Sequence, residues 1–433
     1  MTDINNTKIK YVLLLEAIRA GIPSRELVGE LPDLRQELVS MIDADLEKLS
    51  GGQQVKGRII WGEYGHGKTH FLKLIEKHIL AQGYAVSYLT LNRDLGLNNL
   101  GNLYPALSSH VLTRDANIPG LLNQLIHARI SSSGRQELFT AAQIISHPLP
   151  LHVFKGMQNF EPREMIMYYN ALMGKKENIT WAKKQIKADD KHEYSRMVKF
   201  VQKDHLISFM EFFPLLLKSM GHQGWVILID ELEMMGRMGK VSRLNSYRNL
   251  SWLMNLSLEH KLPIYTIAAS AKALQDDVWY GQKKYDATDM PKYAEERYDI
   301  QTSARIHKFF EQASGKQGLV LKPVKAKDLY PLLERLLDIH RAAIGWKYDL
   351  PDDFVNNALK HIDPSNKPIR QIIRMFIEIM DIYATRGIIP GRFLENVVVD
   401  YDYEDELPDR PEDDDNGQVG FRETAIKEMF EPR

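Results

Sequence analysis

Gly62-Glu63-Tyr64-Gly65-His66-Gly67-Lys68-Thr69 follows the spacing Gly, four residues, Gly-Lys-Thr of a phosphate-binding loop. Its flanks fit that reading. Arg58-Ile59-Ile60-Trp61 before it has the apolar character of a short buried strand. After it, Phe71, Leu72, Ile75 and Ile79 recur at helical spacing. A strand, a glycine-rich turn and a helix N-terminus together make an anion site, because backbone N–H groups converge there and the helix dipole favours negative charge. Gly62 and Gly67 are expected to take torsions that a side chain would block. Lys68 is placed to reach the β- and γ-phosphates, and the Thr69 hydroxyl to coordinate Mg²⁺. The candidate nucleotide set is therefore Gly62, Glu63, Tyr64, Gly65, His66, Gly67, Lys68, Thr69 and His70. The His66 side chain itself reads as a variable loop position.

A second motif lies well downstream. Trp225-Val226-Ile227-Leu228-Ile229-Asp230-Glu231 is an apolar run that ends in two acids. A central parallel strand is covered on both faces and so reads as a continuous apolar segment. Asp230 at its tip is the candidate Mg²⁺ ligand, and Glu231 the general base for an attacking water. Following a complete phosphate loop, this pair points to a nucleotide hydrolase. Glu233 reads as facing solvent or a neighbour.

The remaining strands are Ala85 to Leu91, Leu262 to Ser270 and Gly318 to Pro323. Ser270 is either a hydroxyl that orients the lytic water or a cap for the next helix. Asn92-Arg93-Asp94, after the second strand, is either near the ligand crevice or a polar turn. Residues 276–300 read as a polar loop. Arg297 and Arg305 follow as candidates to act in trans on a neighbouring subunit's γ-phosphate; each also reads as a surface charge. Helices over 326–342, 352–361 and 367–385 suggest a lid. Its Arg370, near a helix N-terminus, is a candidate nucleotide sensor, and Arg374 is a surface charge.

The fold expected is α/β: a P-loop NTPase of AAA+-like plan, a parallel sheet with a helical insert, followed by an all-α lid. An N-terminal helical segment covers 1–50. The core covers 51–315, with the insert at about 100–222, the lid 316–400 and an acidic tail 401–433. At 433 residues the chain is long enough for such a division. The net charge of −1 requires any nucleic-acid binding to come from a local patch. There is no cysteine, hence no disulfide framework and no thiolate metal site. No apolar run approaches the roughly 20 residues that span a bilayer. These features fit a cytoplasmic protein with no membrane association.

One stretch of the insert is basic. From Lys175 to Lys203 lysines and arginines outnumber acids, with Trp181, Tyr194 and Phe200 interleaved. It reads either as a phosphate-backbone surface with stacking aromatics or as a solvated face over core aromatics. The tail is rich in Asp and Glu and broken by Pro408 and Pro411, a composition that does not order itself. Phe421 to Phe430 carries an amphipathic turn or two.

The order of parts resembles the AAA+ plan, nearest to its initiator-type branch. Ala17-Ile18-Arg19-Ala20-Gly21-Ile22-Pro23-Ser24-Arg25, followed by the loop and Thr69-His70-Phe71-Leu72, is similar to the N-terminal signature of BREX-system ATP-binding proteins of the BrxD type. Leu103-Tyr104 also fits. The resemblance spans roughly 10–390. It implies ATP as ligand, a role in bacterial defence against phage, and DNA and other defence-system proteins as partners; an arginine acting in trans would in addition require a homo-oligomer formed on nucleotide binding. It supports a Mg²⁺-dependent ATPase; the alternative is a slowly hydrolysing, nucleotide-gated scaffold.

Overall fold

The computed structural model describes residues 2–21, 25–114, 132–157, 162–189, 191–201, 205–313, 319–364 and 367–389. The acidic tail 401–433, with Phe421 to Phe430, lies outside the described residues, as do Ile22 to Ser24 of the N-terminal signature.

In chain order the first half runs α1 (Thr2–Ala20), α2 (Arg25–Glu30), α3 (Gln36–Ser50), β1 (Arg58–Gly62), α4 (Lys68–Ala81), β2 (Ala85–Thr90), α5 (Leu100–Ser109), α6 (Ser132–Ala141), α7 (Leu149–Met157), α8 (Pro162–Leu172), α9 (Lys176–Asp189), α10 (Lys191–Arg196) and α11 (Ile207–Ser219). Then follow β3 (Trp225–Asp230), α12 (Lys240–His260), β4 (Ile264–Ala271), α13 (Asp286–Arg297), α14 (Ile300–Ala313), β5 (Leu319–Val320), α15 (Ala326–Ile344), α16 (Phe354–Ile362) and α17 (Ile369–Arg386). The polar stretch expected as loop at 276–300 thus contains α13. Its buried Met290 and Ala294 stand one turn apart, a short signal diluted by charges.

The strands form one five-stranded sheet in the order β2-β3-β4-β1-β5. β2 pairs parallel with β3, with Thr90 opposite Asp230, and β3 pairs parallel with β4, with Ile229 opposite Ala268. β5 pairs parallel with β1 through Ile60 and Leu319. Parallel neighbours need long crossovers, which the intervening helices supply. The outer edge of β2 is closed by a bridge between Val86 and Leu112.

The described residues divide into two compact units, with the boundary inside β1. One unit holds Met1–Met41, Ile60–Lys77 and the chain from Leu319. Its core is a helical cluster. Leu14, Leu15 and Ile18 of α1 pack with Leu333 and Leu336 of α15, Phe354 of α16 and Phe376 and Met380 of α17. Spacings of three and four residues put each set on one face of its helix. The side chains of this cluster are joined by a polar group: Trp346 Nε1 donates to His340 Nδ1 at 2.9 Å, leaving His340 Nε2–H for Asp381, which also takes Arg19. Burial raises the Asp381 carboxyl, but the hydrogen bonds from His340 and Arg19 and the nearby Arg19 charge outweigh it and hold it below its usual range.

The other unit holds Ile42–Ile59 and His78–Gly318. β3 and β4 are buried along their whole length. α11 is apolar on nearly every side and buried accordingly. Tyr247, Trp279, Phe309 and Phe310 form an aromatic cluster with ring centroids 4.9–6.3 Å apart. Beside it, buried Asp286 accepts from Arg243 Nε and Tyr247 Oη at 2.9 and 2.8 Å. No helix among the described residues is long and apolar enough to cross a membrane.

Candidate nucleotide-binding site

β1 leads the chain into the phosphate loop with Ile60 and Trp61 fully buried, and Trp61 O accepts from Leu321 N at 2.7 Å. The turn then relies on Gly65 (φ +75°) and Gly67 (φ +83°), both in the left-handed region that glycine takes without steric cost. The torsion expected at Gly62 is instead at Gly65; Gly62 ends β1 as a strand residue. Lys68 is 8% exposed. Its Nζ donates to Gly62 O at 3.1 Å and Glu63 O at 3.3 Å and lies 5.0 Å from the Tyr64 ring centroid. Glu63 and Tyr64 therefore hold the lysine through a carbonyl and a ring face. Phe71 N donates to Gly67 O at 2.8 Å and starts the ladder of α4. Thr69 and His70 are half-buried in that first turn. Burial lowers the pKa of both His66 and His70, so both rings are neutral at physiological pH.

Two other segments of the same unit reach the loop. From the start of α17, Arg370 N donates to Gly65 O at 3.3 Å. The Arg370 side chain extends to the end of α1, where a Cβ at Gly21 would stand 2.5 Å from Arg370 Nη2. That close approach gives Gly21 of the N-terminal signature a physical reason. Arg374, one turn on, is exposed. From the segment between α2 and α3, Arg35 donates from Nη1 to Lys322 O at 2.9 Å and from Nη2 to His66 O at 3.1 Å. The apolar spacing predicts a helix running through Leu34, whereas this piece is not helical. Pro32-Asp33 is the signal against that helix, since Asp in such a turn bonds its own backbone two residues on; Asp33 Oδ1 does accept from Arg35 N at 2.8 Å.

In the other unit, the end of β3 and the turn after it carry the acids. Asp230 is 2% exposed. One carboxylate oxygen accepts from Tyr88 Oη at 2.8 Å and the other from Glu231 N at 3.0 Å. Tyr88 of β2 is a site neighbour that the strand pattern did not single out. Glu231 has φ 59° and ψ 41°, the left-handed region, which costs a non-glycine residue about 1–2 kcal/mol. Strain of this kind gathers at functional sites. Glu233 does not face solvent: it is 1% exposed and accepts from Ala271 N at 2.8 Å. The 3-10 turn Leu232–Arg237 drives it inward. Ser270 is fully buried within β4, and its hydroxyl donates to Ala271 O at 3.2 Å. The helical turn beyond it starts after Ala273, so Ser270 is not its cap.

Asn92 Oδ1 accepts from Asp94 N and Leu95 N, both at 2.9 Å, which makes that segment a side-chain-closed turn. Arg297 is exposed in the last turn of α13. Arg305 on α14 donates to Glu259 at 3.2 Å within its own chain. In the insert, two of the interleaved aromatics, Trp181 and Phe200, are packing residues. Trp181 meets Tyr168 at 4.9 Å between centroids, and Phe200 is 7% exposed against Phe209 and His147. Lys183 is turned inward and donates to Phe200 O at 3.2 Å.

The loop suits a polyphosphate: two left-handed glycines, a buried lysine and a helix N-terminus, with only Ile369 Cγ2 within 4 Å of a Cβ placed on Gly67. Among the described residues no three His, Asp or Glu side chains gather as a metal site. Any Mg²⁺ would rely on few protein oxygens, with water and phosphate oxygens completing its shell.

A buried lysine in a glycine loop at a helix N-terminus defines a nucleotide-phosphate-binding class of protein. Within that class, the model of the family described as BREX system ATP-binding protein BrxC/D matches residues 11–142 and 170–389. The chain belongs to this family, and its ATP binding serves BREX phage defence. The unmatched span between the two matched blocks covers α7 and most of α8 in the insert. No curated protein matches the chain.

Proposed function

We propose that the chain is a Mg²⁺-dependent ATPase of the BrxD type with an AAA+-like P-loop fold, acting in the cytoplasm. The observation that carries hydrolysis is the Asp230–Glu231 pair: a buried carboxylate oriented by two donors, followed by an acid held in a strained backbone conformation. Lys68 and the loop amides bind the β- and γ-phosphates. Asp230 and the Thr69 hydroxyl would hold the metal, which neutralises phosphate charge when bound. Glu231 takes the proton of the attacking water. Ser270 orients that water, and Arg370 links the nucleotide to α17. Arg297, exposed at the end of α13, and Arg305, which donates to Glu259, are the two candidates to act in trans.

DNA is the proposed effector. Lys176, Lys184 and Lys187 are exposed and, at helical spacing, share one side of α9, where a phosphate backbone meets them as point charges. Steady-state phosphate release from Mg-ATP, with and without duplex DNA, tests the whole reading. Turnover stimulated by DNA is expected. Charge reversal at Lys176, Lys184 and Lys187 should abolish the stimulation and flatten the salt dependence of DNA binding by about one unit of slope for each phosphate no longer neutralised. Unchanged affinity and slope would remove α9 from the account. Turnover slower than about one per minute, with ATP-dependent growth in particle size, would favour the nucleotide-gated scaffold.

A further inference from the structure

We infer that Arg35, far from the loop in sequence, is a positioning residue of the ATP site; the inference rests on the phosphate loop being that site. Arg35 stands just before α3, where its carbonyl accepts from Leu38 N and Val39 N. The Asp33 carboxylate fixes its backbone from the other side. Its guanidinium bridges two carbonyls of different segments: His66 O within the loop and Lys322 O just beyond β5. Burial disfavours the charged form, but a guanidinium stays protonated in proteins, so both bonds are charge-assisted.

The choice of His66 O matters for the anion. The C=O of residue 66 and the N–H of residue 67 belong to one planar peptide and point in opposite directions. Gly65 and Gly67, on either side of His66, have the torsional freedom to let this peptide turn over. By holding this carbonyl, Arg35 also fixes the Gly67 N–H of the same peptide in the opposite direction, the arrangement an anion would meet. A site pre-set in this manner does not spend binding free energy on ordering the loop. Lysine cannot replace the arrangement fully, since one ammonium lacks the planar fork that spans two fixed acceptors.

Equilibrium binding of a fluorescent ATP analogue to the full chain, with ATP and tripolyphosphate as competitors, tests this. Arg35→Ala should weaken ATP and tripolyphosphate by roughly tenfold to a hundredfold, the range for a charged hydrogen bond removed, and Arg35→Lys should be intermediate. Arg335→Ala is the structural control: Arg335 also donates to a backbone carbonyl of the same unit, Glu30 O at 2.9 Å, away from the loop. It should leave both affinities within about twofold. Equal losses in Arg35→Ala and Arg335→Ala, or wild-type affinity in Arg35→Ala, would overturn the positioning role. Wild-type protein that binds neither ATP nor tripolyphosphate would instead overturn the assignment of the loop itself.

Discussion

The phosphate loop and the ends of β3 and β4 are held by opposite chemistry. Around the loop, cations hold backbone carbonyls: Lys68 on Gly62 O and Glu63 O, and Arg35 on His66 O and Lys322 O. At the strand ends, carboxylates hold backbone amides: Asp230 on Glu231 N and Glu233 on Ala271 N, with Glu211 on Ser146 N deeper in that unit. A loop that meets an anion has its amides committed to the ligand, so its carbonyls are what the protein can hold. A strand end that presents acids has the reverse need. Lysine and arginine remain charged across the working pH range, whereas the Glu211 carboxyl, pushed up to about 7 by burial, does not.

The largest expected effect lies on the loop. Lys68→Ala removes the buried ammonium that bridges Gly62 O and Glu63 O, and ATP affinity should fall by about a hundredfold or more, measured by calorimetry. Retained affinity would mean that the loop binds without its lysine and would break the comparison at its stronger side.

A smaller effect sharpens the carboxylate side. Glu211 is buried, and burial pushes its carboxyl up to about 7, against the opposing hydrogen bond from Ser146 N. The folded value exceeds the ordinary carboxylate value, so the folded state binds more protons between about pH 4.5 and 7. Stability from this group is therefore full below pH 4.5 and is lost as pH rises through 7. Glu211→Gln removes the penalty. Its stability relative to wild type should rise by about 2–3 kcal/mol between pH 5 and pH 8, read from urea unfolding. His260, whose Nδ1 lies 3.5 Å from Glu211, is held below its ordinary value by burial and titrates in both proteins. A constant difference across that range would show that Glu211 is ionised throughout.

Legibility in the sequence divides along the same line. The loop, the apolar run ending in Asp230-Glu231 and the helices after β5 can be read because their signals are contiguous or periodic. The braces cannot. Arg35 meets His66 across a separation that no spacing rule covers, and Tyr88 reaches Asp230 only because β2 lies beside β3. Glu233 reads as a surface acid because a 3-10 turn breaks the alternation that would have shown it buried. For the aromatics around α9, composition leaves a stacking surface and a core role both open, and only tertiary packing shows Trp181 against Tyr168 and Phe200 against Phe209.

Glu231→Gln tests hydrolysis most simply. This change keeps size and hydrogen bonding but removes the base. ATP turnover should fall by about a hundredfold or more, with ATP affinity within about threefold of wild type. An unaffected turnover would contradict the role given to Glu231, and parallel loss of binding would show that the residue serves the nucleotide site rather than the chemical step.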